Sequence, residues 1–272
     1  MQPAVLFWFY KRFDVSRERL GLLRAMNPGA AIFALFGGAP NDTDAARACT
    51  DGLADDFWCY PEPHDPRWKW RHGDQLIARW HRDRGRDLDW NTIFIMQWDL
   101  LAARPLAELF ADLAPGEALF SGLRPFAEVE AWWPWADPSS WALYDFRKVL
   151  RLRLAYRGPL LACLFIVPCL PRVFLDRFVA MGAPRAGFLE YKLPTLAAAL
   201  GIPVRNAHPH EPWWSQDPAQ QDADAGRRAL NAVQQEVTED TILAELSRPL
   251  GRRLFHPVSE PLSPRLRAAL HA

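Results

Sequence analysis

Residues 91–101 read NTIFIMQWDLL. Ile93 to Met96 are an apolar run of the kind a strand buried on both faces carries, and the run ends on Gln97, Trp98 and Asp99. A carboxylate at such a strand end either caps a following helix or faces a ligand crevice beyond the sheet. In a crevice it suits a divalent cation, which takes hard oxygen ligands. A second acid, Glu190, stands in GFLEYKLPTLAAALG, after Gly187 and ahead of a helix expected from about Leu193, with Pro194 in its first turn. From there it would project into a crevice and could act as general base toward a weak nucleophile such as a hydroxyl. The alternative is a first-turn acid favoured by the helix dipole. His256 lies in LFHPVSE, where Pro257 fixes the preceding backbone as extended. Its neutral imidazole would ligate a manganese- or zinc-like cation, and His208 and His210 in NAHPHEPWW compete for that role.

Other residues could serve the same crevice. Lys11 and Arg12 follow an early apolar run, where they would either meet a phosphate or remain solvated charges. Gly37 and Gly38 close a second run, and would let a ligand approach the backbone or simply form a turn. In DPRWKWRHGDQLIARWHRDRG, Lys69, Arg71, His72 and Asp74 sit just before or at a helix start, while Arg79 to Arg86 read as a charged helix surface. AWWPWADPSSW carries Trp132, Trp133, Trp135 and Trp141 and reads as a loop or lid that could stack on a ring-shaped ligand or pack on itself.

These residues need a frame, and the apolar pattern supplies one. AVLFWFY at residues 4–10, AAIFALFGG at 30–38 and the run before Asp99 read as central strands, with a helix between the first two expected to start at a Ser16 cap and stop at Asn27-Pro28-Gly29. Strand–helix–strand implies a parallel pair and an α/β class. A short strand is expected at 57–60, helices at 74–84 and 105–113, and a strand at 161–167. After that come a short helix in PRVFLDRFVAMG, a strand after Gly201 and a helix through 227–246. Asp99, Arg12 and the Gly37-Gly38 pair all follow strands, so three strand ends converge on one edge.

Composition narrows the class. The chain has 272 residues, enough for one large domain, and 32 basic against 32 acidic residues argue against a nucleic-acid partner. Cys49, Cys59, Cys163 and Cys169 have no CxxC spacing and read as reduced thiols of a cytoplasmic protein. Residues 160–170, the longest apolar run, are too few to span a bilayer. No GxGxxG or P-loop pattern is present.

The order of parts resembles the GT-A glycosyltransferase family, the nucleotide-diphospho-sugar transferases, in a bacterial-type form with a degenerate DxD motif. Gln97–Asp99 stands in the DxD place, Glu190 in the place of the xED acid, and His256 in the place of the C-terminal metal ligand. QWD keeps only the last acid of DxD, and LEY has no Asp after Glu190. The resemblance implies one GT-A-like domain over 1–272: a mainly parallel or mixed central sheet flanked by helices, a nucleotide-binding half of about 1–115, an acceptor half of about 116–260 and a C-terminal extension. It implies Asp99 and His256 on a divalent metal, Mn or Mg, and Glu190 as catalytic base. Arg12, Gly37, Lys69, Asp74 and Trp98 become donor-binding candidates. The implied reaction moves a sugar from a nucleotide-diphosphate donor to a saccharide or lipid-linked acceptor, as in cell-surface polysaccharide or glycolipid synthesis. A non-catalytic relative that binds nucleotide sugars or carbohydrate is the alternative. A nucleotidyltransferase comes third, because FWFYKRFD lacks a Gly-rich loop after the first strand.

Overall fold

The structure is a computed structural model that describes residues 3–62, 68–137, 139–205, 211–220, 229–232 and 236–271. Among these, the elements run β1 (Pro3–Phe9), α1 (Phe13–Met26), β2 (Ala31–Phe36), α2 (Thr43–Thr50), β3 (Asp56–Cys59), α3 (Trp68–Asp83), β4 (Thr92–Gln97), β5 (Leu101–Ala102) and α4 (Leu106–Leu109). They continue with β6 (Ala118–Pro125), α5 (Trp141–Arg153), β7 (Leu161–Pro171), α6 (Arg172–Ala180), α7 (Leu189–Ala199), β8 (Val204–Arg205), α8 (Glu239–Leu246), β9 (Leu254–Phe255) and α9 (Pro264–His271).

Seven strands form one mixed, mainly parallel sheet in the order β3-β2-β1-β4-β7-β6-β8. The three runs read as central strands are neighbours, with β1 pairing in parallel with both β2 and β4. Their continuous apolar character follows from burial on both faces. Phe9 packs on Phe13 of α1, while a methyl group on Gly73 of α3 would strike the Trp8 ring. Helices α1 and α3 therefore cover opposite faces of β1. Helix α3 packs in turn on α6 and α7, giving an α/β/α layering.

β7 is where the sheet stops being regular. It pairs antiparallel with β4 only from Thr92↔Pro171 to Phe94↔Cys169. The next positions along β7 are Pro168, which has no N–H to donate, and Val167, which has a left-handed φ of 48°. The ladder therefore ends, and β4 and β7 part toward the carboxyl end of β4.

Several local expectations are corrected. Helix α1 starts at Phe13 with Arg12 as its cap residue, and Ser16 instead donates its hydroxyl to the Lys11 carbonyl. Helix α3 begins earlier than Asp74, with a kink at His72, and α4 is a single turn. Leu230 bridges to His256 and Asn231 to Trp213, so of the expected 227–246 helix only α8 forms among the described residues. Helix α7 starts at Leu189, which puts Glu190 in its first turn and Pro194 in its interior. The tail also carries α9, which was not read from the sequence. It packs with α8 and β9 into a second apolar cluster that includes Leu101, Phe255 and Leu266, against Leu22 of α1.

Candidate functional site

Asp99 follows β4 in a turn closed by Leu100 N–H on the Gln97 carbonyl, and β5 comes next, so Asp99 caps no helix. β5 pairs antiparallel with β9 in the register Leu101↔Phe255 and Ala102↔Leu254. Continuing that register sets His256 opposite Leu100, diagonal to Asp99, and Val258 N–H donates to the Asp99 carbonyl at 2.7 Å. His256 Nε2 lies 3.5 Å from Asp99 Oδ1. That is the outer limit of a hydrogen bond, and Oδ1 is buried with no other partner.

The other ring nitrogen fixes the chemistry of this pair. His256 Nδ1 is 2.5 Å from the Asn231 carbonyl, which only accepts, so Nδ1 carries the proton. In the neutral ring Nε2 then presents a lone pair to a carboxylate. Either the imidazole is protonated or a cation belongs between them. Burial pulls the His256 pKa down, but Asp99, the Asn231 carbonyl and Glu236 outweigh it, and the imidazole titrates above its ordinary value. A nitrogen and an oxygen donor this close, with the second ring nitrogen anchored on a backbone carbonyl, suit a divalent cation. Among the described residues no cluster of three or more His, Cys, Asp or Glu forms a fuller cage. Any cation here would take its remaining ligands from substrate or water.

Glu190, on α7, is tied to the end of β4 through the backbone of β7. The parted end of β4 and β7 leaves the Phe165 peptide without a strand partner on β4, and two side chains take that place. Phe165 N–H donates to Glu190 Oε1 at 2.7 Å, and Gln97 Nε2 donates to the Phe165 carbonyl at 3.1 Å. Gln97, read in the sequence only as part of QWD, thus ties the Asp99 strand to the backbone that holds Glu190. Burial raises the Glu190 pKa to about 7, opposed by the Phe165 N–H and by the charge of His256. The two groups are therefore near enough to couple. Glu190 is buried in the first turn of α7, so the expected position ahead of the helix is corrected, and Pro194 cannot donate to the Glu190 carbonyl.

At the end of β1 two cations meet on aromatic rings. Lys69 Nζ sits 3.9 Å above the Tyr10 ring, and Lys11 Nζ lies 4.9 Å from the Trp98 ring centre and 5.6 Å from that of Tyr10. Neither lysine has a carboxylate in ion-pair reach among the described residues. Lys69 is buried, and burial together with the charge of Lys11 pushes its pKa down. Two ammonium groups crowded without an anion make a place where a phosphate would be stabilised.

The remaining candidates are engaged by the protein itself. Arg12 has a left-handed φ of 50°, and its guanidinium holds Glu260 through two hydrogen bonds of 2.9 and 3.0 Å, with Asp14 beside it. The space a ligand would use at Gly37 is filled: a methyl group there would lie 2.5 Å from Leu76 Cδ2. Asp74 is buried in an ion pair with Lys192 at 2.7 Å and faces no crevice. Trp98 is buried, its ring stacked over by Lys11 and edge-on to Tyr10, so it is a platform for Lys11 instead of a face for a base. Trp133 packs on Tyr191 and Trp214, and Trp135 stacks on Phe188 at 4.4 Å, so neither forms a free lid. His208 and His210 lie outside the described residues.

Arg19 was missed. It is buried, donates to the Val258 and Glu260 carbonyls, pairs with Glu18 and feels the charge of Asp99. It fastens the segment after His256 to α1. The signal was an Arg beside Leu20 on the face of α1 that also carries Leu23. All four cysteines are free thiols, and no described helix is long and apolar enough to cross a membrane.

No protein-family model matches the chain, and no curated protein does. Among solved structures, mouse xyloside xylosyltransferase 1 in its apo form aligns over 81% of this chain and 91% of its own, with 11% identity and a TM-score of 0.40.

Proposed function

We propose that the chain is a glycosyltransferase that moves a sugar from a nucleoside-diphosphate donor to a hydroxyl on a saccharide or lipid-linked acceptor. One observation carries this reading. An acid–imidazole pair follows β4, two lysines with no carboxylate in ion-pair reach among the described residues meet at the end of β1, and a buried carboxyl poised near neutrality is tied through Phe165 to Gln97 at the end of β4. Such a transfer needs charge stabilisation for a leaving diphosphate and a base for the incoming hydroxyl.

In this reading Asp99 and His256 hold a divalent cation, Mn or Mg, which when bound neutralises negative charge on the leaving diphosphate. Lys69 and Lys11 receive the remaining phosphate charge from the Tyr10 side. The Asn231 carbonyl keeps the His256 proton on Nδ1, so Nε2 stays a donor of electrons. Glu190 takes the proton of the acceptor hydroxyl through the oxygen not engaged by Phe165 N–H. A carboxyl titrating at about 7 is half ionised at neutral pH, and a base is most effective when its pKa lies near the working pH.

A thermal-shift screen of nucleotide sugars with and without manganese tests the donor half, and release of nucleoside diphosphate on adding acceptors tests the chemical half. Glu190→Gln should lower turnover by a factor on the order of 10² to 10⁴ with donor affinity nearly intact. Lys69→Ala should weaken the donor and leave metal binding alone. Manganese-dependent donor binding with no release under any acceptor would make the chain a binding protein. No nucleotide-sugar binding at all would sink the reading.

A further inference from the structure

Helix α5 is apolar on its inner side and carries large apolar groups on its outer side as well. Leu143, Phe146 and Leu150 face the core and are buried. Phe146 meets the ring of Tyr191, the neighbour of Glu190, at 5.6 Å. The opposite face, at helical spacing, presents Trp141, Tyr144, Asp145, Lys148, Arg151 and Leu152 to solvent. Trp141 is 78% exposed, Tyr144 54% and Leu152 74%. Trp141 stands edge-on to Tyr144 at 5.9 Å, and Lys148 Nζ lies 5.5 Å over the Tyr144 ring. This is an organised surface that none of the described residues covers.

Its charge is one-sided. Between residues 141 and 157 the basic residues are Arg147, Lys148, Arg151, Arg153 and Arg157, against the single acid Asp145. Among the described residues none of these five is in an ion pair, in a chain whose basic and acidic residues balance at 32 each. The acids have gone elsewhere, and this helix keeps a local excess.

We propose that the outer face of α5 seats the protein on an anionic lipid bilayer. Trp and Tyr favour the headgroup level, where an apolar ring and a polar edge are both satisfied. Leu152 adds apolar area, and Lys148, Arg147 and Arg151 reach lipid phosphates while their stems lie along the boundary. With 13 residues the helix lies on the surface and does not span it. A second copy of this chain is the poorer occupant, because a two-fold contact would set these cations against themselves. A nucleic acid would meet the cations but leave Leu152 unused. The helix packs on α7, which carries Glu190. The value of a membrane seat for a lipid-linked acceptor rests on the proposed function, whereas the membrane contact does not.

Co-sedimentation of the full chain with vesicles tests the contact without any turnover assay. Binding to phosphatidylcholine vesicles containing phosphatidylglycerol, weak binding to phosphatidylcholine alone, and a fall with added salt are expected. The double variant Lys148→Glu, Arg151→Glu should bind the anionic vesicles on the order of 100-fold more weakly. Trp141→Ser with Leu152→Ser should lose on the order of ten-fold. All four positions are exposed, so melting temperatures should stay at the parent's value. Failure to bind anionic vesicles, or binding unchanged in both double variants, overturns the proposal. So does displacement from vesicles by single-stranded RNA combined with an unaffected Trp141/Leu152 variant, which would make the face a nucleic-acid surface.

Discussion

Two acid–base pairs in this protein look alike in the sequence and differ in the structure. Asp74 and Lys192 join α3 to α7 with side chains wholly out of solvent and 2.7 Å between charges. Lys192 also donates to the Pro184 carbonyl, and Gln75 donates to the same oxygen of Asp74. Asp99 and His256 meet beyond the carboxyl end of β4, the first half-buried and the second buried, 3.5 Å apart. Each carboxylate leaves its Oδ1 without a hydrogen bond, so an orphaned oxygen alone does not separate them. The partner atom does. Lys192 offers protons and closes on its acid. His256 has its one neutral-state proton turned to Asn231, and it offers Asp99 a lone pair. The first pair is a complete strut; the second is completed only by a proton or a cation.

The comparison is broken most forcefully at the strut. Lys192→Met leaves Asp74 charged and buried without a partner, and removing one member of such a pair typically costs about 3–5 kcal/mol. Urea denaturation should show a loss of that order. Joint replacement, Asp74→Leu with Lys192→Met, should recover much of it, since a well-packed apolar pair avoids both desolvation penalties. If Lys192→Met were as stable as the parent, the pair would not be the strut described here.

The sequence makes some of this legible and hides the rest for physical reasons. The three central strands announce themselves because burial on both faces admits only apolar residues. Asp99 is legible because an acid interrupts that rule at a strand end. The role of Asp74 is not, because a helix-start acid looks the same whether it meets a nucleotide or a lysine over a hundred positions away. Lys192, set among Leu189, Tyr191 and Leu193, was the clue that a partner for some acid was needed. The start of α7 was misplaced because Pro194 signals a first turn, yet here the helix tolerates it one turn in. The nearness of His256 to Asp99 depends on the two-residue ladder between β5 and β9, which is too short to leave a pattern. Gly37 in the sequence offers either room for a ligand or a turn, and only the position of Leu76 shows the room taken.

Glu190 sharpens the comparison as a buried carboxyl held by a backbone N–H, with no cation at bonding distance among the described residues. Its pKa is raised from 4.5 to about 7, chiefly by burial. The folded state therefore holds the proton more tightly than the unfolded chain does. The stability linked to this group is fully present below the unfolded pKa and is lost as pH rises from about 4.5 to about 7. At roughly 1.4 kcal/mol per pKa unit, the loss approaches about 3 kcal/mol. Glu190→Gln keeps an oxygen for Phe165 N–H and carries no charge. It should match the parent near the acid end of that window and exceed it by roughly 2–3 kcal/mol at pH 8. Parallel stability–pH curves for the two proteins would show that burial does not govern this carboxyl.

The smallest effect on stability is expected at the open pair, and it is the most diagnostic. Asp99→Asn removes a charge that no hydrogen bond completes, so the fold should change by no more than about 1 kcal/mol in metal-free buffer. The difference should appear only with metal. A cation that binds the folded state at ten times its dissociation constant stabilises by about 1.4 kcal/mol, and manganese should raise the melting temperature of the parent accordingly. Asp99→Asn and His256→Ala should each lose that increment, while Lys192→Met, destabilised overall, should retain it. The increment should also grow with pH, because a proton on His256 Nε2 competes with the cation and the imidazole titrates above its ordinary value. A large loss of stability in metal-free Asp99→Asn, with no manganese response in the parent, would turn the open pair into a second strut and remove the metal from the site.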